Sequence, residues 1–141
     1  MFEYAKHCGA KKLSRAGSLT TAITYLNRNP LQKKNALRLA EKFKFSEKQT
    51  AQMIGMSLRR YRLAAPSAVL HWPAVENVMR LSELYEVGLR TFDSKPMSFI
   101  TWLNTNVMAL NHLKPIQVLC PGIGVEIVRD ELLRMEYSVL S

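Results

Sequence analysis

Residues 45–66 read FSEKQTAQMIGMSLRRYRLAAP, and the punctuation of this stretch decides how the chain folds. Ser46 is a good N-cap for the segment EKQTAQMI, because its hydroxyl can accept a helix N–H that has no partner within the helix. Gly55 breaks that segment where a left-handed backbone is needed, and Ser57 caps a second one, LRRYRLAA, which Pro66 ends. Ala51 is small where the first helix must approach the second. The spacing predicts two short helices around a tight turn, with Ile54, Leu58 and Tyr61 filling the core beneath them.

Caps, apolar stripes and breakers continue in both directions. Ser18 is placed to cap a short helix through Leu26, and Asn29-Pro30 reads as an N-cap followed by proline at the first helical position, opening a helix to about Phe43. In that helix Leu37, Ala40 and Phe43 share a face. A long helix is predicted from about Ala74 to Phe92, with Val78, Leu81, Tyr85, Leu89 and Phe92 on one stripe and Val75, Met79 and Leu84 widening it. Ser94 and Pro96 begin another helix to about Leu103, and Pro115 starts a short one through Leu119. Gly122 or Gly124 precedes a last helix ending near Tyr137, its buried side marked by Val125, Val128, Leu132 and Met135. No useful stretch alternates apolar and polar residues as a half-buried strand would. The expected fold is all-α, with a helix-turn-helix unit over residues 1–70 and a small helical unit over residues 71–141, joined near 66–73.

Charge divides the chain in the same way. Residues 1–70 hold fourteen Lys and Arg against three acids, a balance of +11, whereas residues 71–141 hold six against eight, a balance of −2. The basic half suits a polyanion, since each phosphate contact releases condensed counterions. A solvated basic face is the plain alternative, so the choice falls to the motif.

In the second short helix Arg59, Arg60 and Arg62 fall on the outward and flanking faces, the layout of a recognition helix. Arginine can grip guanine O6 and N7 together, so Arg59 and Arg60 are expected at base edges and Arg62 at a base or a phosphate. Gln49 and Ser57 suit a phosphate or a single base edge, and Lys48 could hold the backbone across the groove. Lys33, Lys34, Lys42 and Lys44 would add non-specific affinity. A single unit of this kind covers little DNA, which predicts a homodimer on an inverted repeat, with the stripe at 75–92 as a possible interface. The same Ala-x3-Gly-x-Ser spacing also serves as a simple tight turn in proteins that never meet DNA.

Other chemistries find little support. Cys8 and Cys120 are far apart and lack a CxxC or CxxH setting, which argues against a disulfide framework or a zinc site and fits a reducing cytoplasm. His7, His71 and His112 are isolated from one another and from the cysteines, and no phosphate-cradling glycine loop occurs. No apolar run approaches the roughly 20 residues of a membrane span, and the first residues lack the apolar core of a secretory signal. The expectation is a cytoplasmic protein without enzymatic activity, cofactor, metal or membrane contact.

The C-terminal half carries four segments in a distinctive order: RLSELYEVGLRTF, FITWLNTNVMAL, KPIQVL and VEIVRDELLRMEYSVLS. Together they resemble the toxin-binding domain of the Xre/MbcA/ParS antitoxins. The matching positions are Arg80, Leu81, Leu84 and Tyr85, then Trp102, Leu103 and Asn104, then Ala109, Leu110, Pro115 and Leu119, and finally Glu136 and Tyr137. Asn111-His112-Leu113 stands where a glycine-rich turn is frequent, and no acid follows soon after Pro115. The resemblance implies the antitoxin of a type II toxin-antitoxin system, pairing with a RES-domain toxin that consumes NAD and repressing its own promoter. It further implies that the terminal segment, Arg134, Glu136, Tyr137, Ser138, Val139, Leu140 and Ser141, leaves the last helix and occludes the toxin's active site. Glu136 or the terminal carboxylate would there stand in for the charge of an anionic dinucleotide.

Residue pattern alone leaves that tail open, because a frayed terminus and a Tyr137 packed on its own unit fit as well. Trp102 reads as core. A free-standing helix-turn-helix regulator without a toxin partner, its C-terminal half dimerising or sensing a ligand, is the alternative. A structural adaptor that uses its basic half on an acidic protein is a third reading.

Overall fold

The computed structural model describes residues 2–140. No strand forms among them, and pairing outside the helices is confined to isolated bridges, Gln32 to Val69 and Val107 to Leu113. The fold is all-α. A 3-10 turn at Glu3–Cys8 leads to α1 (Lys11–Ser14), α2 (Leu19–Arg28), α3 (Lys33–Phe43), α4 (Glu47–Ile54), α5 (Leu58–Leu63) and α6 (Trp72–Thr91). After α6 come α7 (Pro96–Leu103), a 3-10 turn at Met108–Leu110, α8 (Pro115–Val118) and α9 (Ile123–Leu140).

Ser18 caps α2 as expected, its Oγ accepting the Thr21 N–H at 3.2 Å. Asn29-Pro30 does not open α3. Asn29 instead closes α2, with its backbone N–H and its side-chain Nδ2 both donating to the Tyr25 carbonyl. The chain then stays extended, because Leu31 and Lys33 exchange backbone hydrogen bonds with Leu70 and Ala68. Helix α3 begins only after that pairing, and the Asn35 Oδ1 accepts the Gln32 N–H at 2.8 Å. Its buried face is Ala36, Leu39, Ala40 and Phe43, so Leu37 lies half-buried at the edge of the stripe and not at its centre.

Two compact units result, Met1–Glu83 and Leu84–Ser141. The division falls within α6, after the expected junction at 66–73, because Ala74, Val75, Val78 and Leu81 are buried along the first part of that helix. The first unit centres on Leu13, Leu39, Phe43, Ile54, Tyr61 and Val78, and the second on Leu84, Phe99, Leu103, Pro115, Val128 and Leu132. Each such side chain contributes roughly 1.5–3 kcal/mol by leaving water. Most of the apolar stripe at 75–92 is buried within the chain. Of the stripe, Val75, Val78, Leu81, Leu84 and Tyr85 are each no more than 5% exposed, while Met79, Leu89 and Phe92 are half-buried.

In the second unit Gly88 lets the Phe99 ring lie directly on α6, where a Cβ would collide with the ring edge. Ser94 does not start α7. Asp93 and Ser94 adopt left-handed conformations that end α6, the Ser94 N–H bonding to the Leu89 carbonyl at 2.7 Å, and Pro96 takes the first position of α7 after Lys95.

Candidate functional site

Local hydrogen bonds build the α4–turn–α5 segment. Ser46 Oγ accepts the Gln49 N–H at 3.1 Å, and Gln49 Oε1 accepts the Ser46 N–H at 2.8 Å, a reciprocal capping box. Helix α4 ends at Gly55 with φ of 79°, a conformation that disfavours any side chain, and the Met56 N–H returns to the Ala51 carbonyl. Ser57 Oγ accepts the Arg60 N–H at 3.2 Å and starts α5. Ala51, Ile54 and Tyr61 are buried where the two helices meet, and Leu58 is half-buried. Burial pushes the Tyr61 phenol above its ordinary value, and the Glu47 carboxylate adds to the shift.

Lys33 has no freedom to reach a phosphate. Its side chain is buried, with Nζ donating to the Tyr61 carbonyl at 2.6 Å and the Ala64 carbonyl at 2.9 Å, and sitting 4.4 Å from the Tyr61 ring centre. The ammonium thus satisfies carbonyls at the end of α5 and complements the negative end of the helix dipole. Lys42 is also engaged internally, half-buried with Nζ 3.2 Å from His7 Nδ1. Lys34 and Lys44 remain on the surface.

Arg59 and Arg60 project from successive positions of α5 into solvent, and neither forms an ion pair among the described residues. Arg62 differs, because its Nε donates to Glu47 Oε2 at 3.1 Å, with both side chains 61% exposed. That exposed pair clasps α5 to the start of α4 and contributes no more than about 1 kcal/mol. Lys48 is exposed on α4. Gln49 is half-buried with its Oε1 committed to the cap, and its Nε2 is the group that could donate to a phosphate or base edge.

The expected C-terminal tail is part of a helix. Arg134, Glu136, Tyr137 and Ser138 all lie in α9, which continues to Leu140 beyond the end expected near Tyr137. Arg134 grips Glu131 through both its Nε and Nη2. Glu136 is 22% exposed and its Oε1 accepts from Arg90 Nε at 2.9 Å, an ion pair within its own unit. Ser138 Oγ donates to the Met135 carbonyl. Tyr137 is 66% exposed and stands away from the core. Ser141 and the side chains of Val139 and Leu140 lie outside the described residues.

Several residues that carry the C-terminal resemblance are structural: Leu84, Tyr85, Leu103, Leu110, Pro115 and Leu119 are buried. Trp102 is half-buried, with its ring centre 6.0 Å from that of Phe92 and 6.4 Å from that of Phe99. Cys8 and Cys120 are free cysteines, and burial raises the Cys8 thiol above its ordinary value. Among the described residues no three His, Cys, Asp or Glu side chains gather as metal ligands, and no helix is long and apolar enough to cross a membrane. No protein-family model matches the chain, and no curated protein matches it significantly.

Proposed function

We propose that the chain is a DNA-binding repressor that inserts α5 into the major groove. The observation that carries this reading is the pair Arg59 and Arg60, exposed side by side on a short helix that Ser57 caps and Gly55 aims. Desolvated against guanine, each guanidinium can make two parallel hydrogen bonds, while the surrounding positive charge holds the phosphates. Arg62 contributes less, since it must first leave Glu47. A homodimer on an inverted repeat would double the contact area.

For the second unit the motif order supports an antitoxin that neutralises a RES-domain, NAD-consuming toxin. Burial of the matching residues fits a motif that maintains a helical scaffold, while the exposed surface of that scaffold meets the partner. Arg134 and Tyr137 on α9 are then contact residues, and Glu136 acts through its hold on Arg90. No chemistry is required of the chain, because blocking an active site needs complementary shape and charge alone.

Coexpression with the product of the neighbouring gene tests the antitoxin reading. That product should arrest growth alone and be harmless beside this chain. A neighbour that is harmless alone, or equally toxic in both cases, leaves the free-standing regulator in its place.

A further inference from the structure

Beside the turn that joins α4 to α5 the first unit opens a pocket of about 470 Å³, within the range that accepts small ligands. Ile54, Met56, Leu63, Val69 and Leu70 supply an apolar lining. Its charged or ionisable lining residues are Lys33, Arg60 and His71, and no carboxylate lines it among the described residues. Lys33 is fixed by its bonds to the Tyr61 and Ala64 carbonyls, so its positive charge stays at the pocket wall. Arg60 is exposed and can swing to an acceptor.

This asymmetry selects a ligand class. A cation would meet like charge, and a neutral apolar molecule would desolvate Arg60 without giving it an acceptor. An anion with an apolar body meets both demands, since a guanidinium and a carboxylate form a charge-assisted, two-pronged pair. We propose that the pocket binds a small amphipathic carboxylate, its apolar part against Ile54, Leu63 and Leu70 and its carboxylate on Arg60, with Lys33 adding positive potential. Arg60 is also assigned to DNA, so ligand and operator compete for it. That consequence rests on the DNA-binding reading, whereas the pocket does not.

The test titrates the isotopically labelled full chain with octanoate, phenylacetate and indole-3-acetate, each beside its neutral amide, followed by amide NMR shifts and calorimetry. At least one carboxylate should give saturable shifts at Gly55, Met56, Leu63 and Leu70, and should bind about tenfold more tightly than its amide. Arg60→Gln should remove most of that preference and leave the helical circular dichroism unchanged. No saturable binding by any of the three carboxylates overturns the proposal, as does equal binding of the amides or a preference that survives Arg60→Gln. A carboxylate that fills the pocket yet leaves operator affinity unchanged overturns the competition alone, and the pocket assignment stands.

Discussion

Lys33 donates to two carbonyls at the end of α5, and its removal leaves both without that donor. Lys33→Met should therefore destabilise the protein by about 2 kcal/mol in chemical denaturation, the scale of charged hydrogen bonds lost from a buried site. If Lys33 were a phosphate contact instead, the same change would spare stability and flatten the salt dependence of DNA binding. At Asn111 and His112 the backbone has φ of 55° and 64°, the left-handed region in which glycine is at ease. Asn111→Gly and His112→Gly should each raise stability, or leave it unchanged, by up to about 1 kcal/mol, with the larger gain at His112 because asparagine tolerates this region better. The task of Lys33 was not legible in the sequence. A lysine reads as basic surface, and nothing local connects it to a carbonyl 28 residues away.

At the scale of elements, α4 and α5 were legible because Ser46, Gly55 and Ser57 act on their immediate neighbours. The start of α3 was not, because a bridge to Val69 competes with helix formation after Asn29-Pro30 and wins. The width of the α6 stripe foretold burial against several neighbours, but periodicity cannot tell an internal core from a dimer surface. The α9 terminus shows the same gap, since the ion pair of Glu136 with Arg90 depends on a partner 46 residues away. Burial raises the phenols of Tyr61 on α5 and Tyr85 on α6 above their ordinary 10.0. The unfolded chain then releases these protons first as pH rises, so the folded state loses relative stability above about pH 10. Denaturation midpoints should hold from neutral pH to about pH 9, where the raised Cys8 thiol begins the same trend, and decline beyond it. Tyr61→Phe should flatten the part of that decline that Tyr61 causes. A midpoint that rises between pH 9 and 11 would contradict the assignment.

For the molecule as a whole, net charge and its division along the chain were legible from composition, and they point the basic half at a polyanion without naming a face. Of the candidates, Lys34, Lys44, Lys48, Ser57, Arg59, Arg60 and Arg62 are exposed, Arg62 being paired with Glu47, whereas Lys33 is buried and Lys42 half-buried, their ammonium groups engaged within the first unit. The partner-binding half remains a proposal from motif order, for which coexpression with the neighbouring gene is decisive. The most direct test of the central claim is fluorescence anisotropy of the protein on duplex DNA from upstream of its own gene, against a shuffled duplex, over a salt series. The account predicts tighter binding to the native sequence, a steep loss of affinity with salt, and a cost of about 1–3 kcal/mol for each of Arg59→Ala and Arg60→Ala, with less for Arg62→Ala. Equal affinity for both duplexes, or Arg59→Ala and Arg60→Ala proteins that bind as tightly as the unaltered chain, would contradict it.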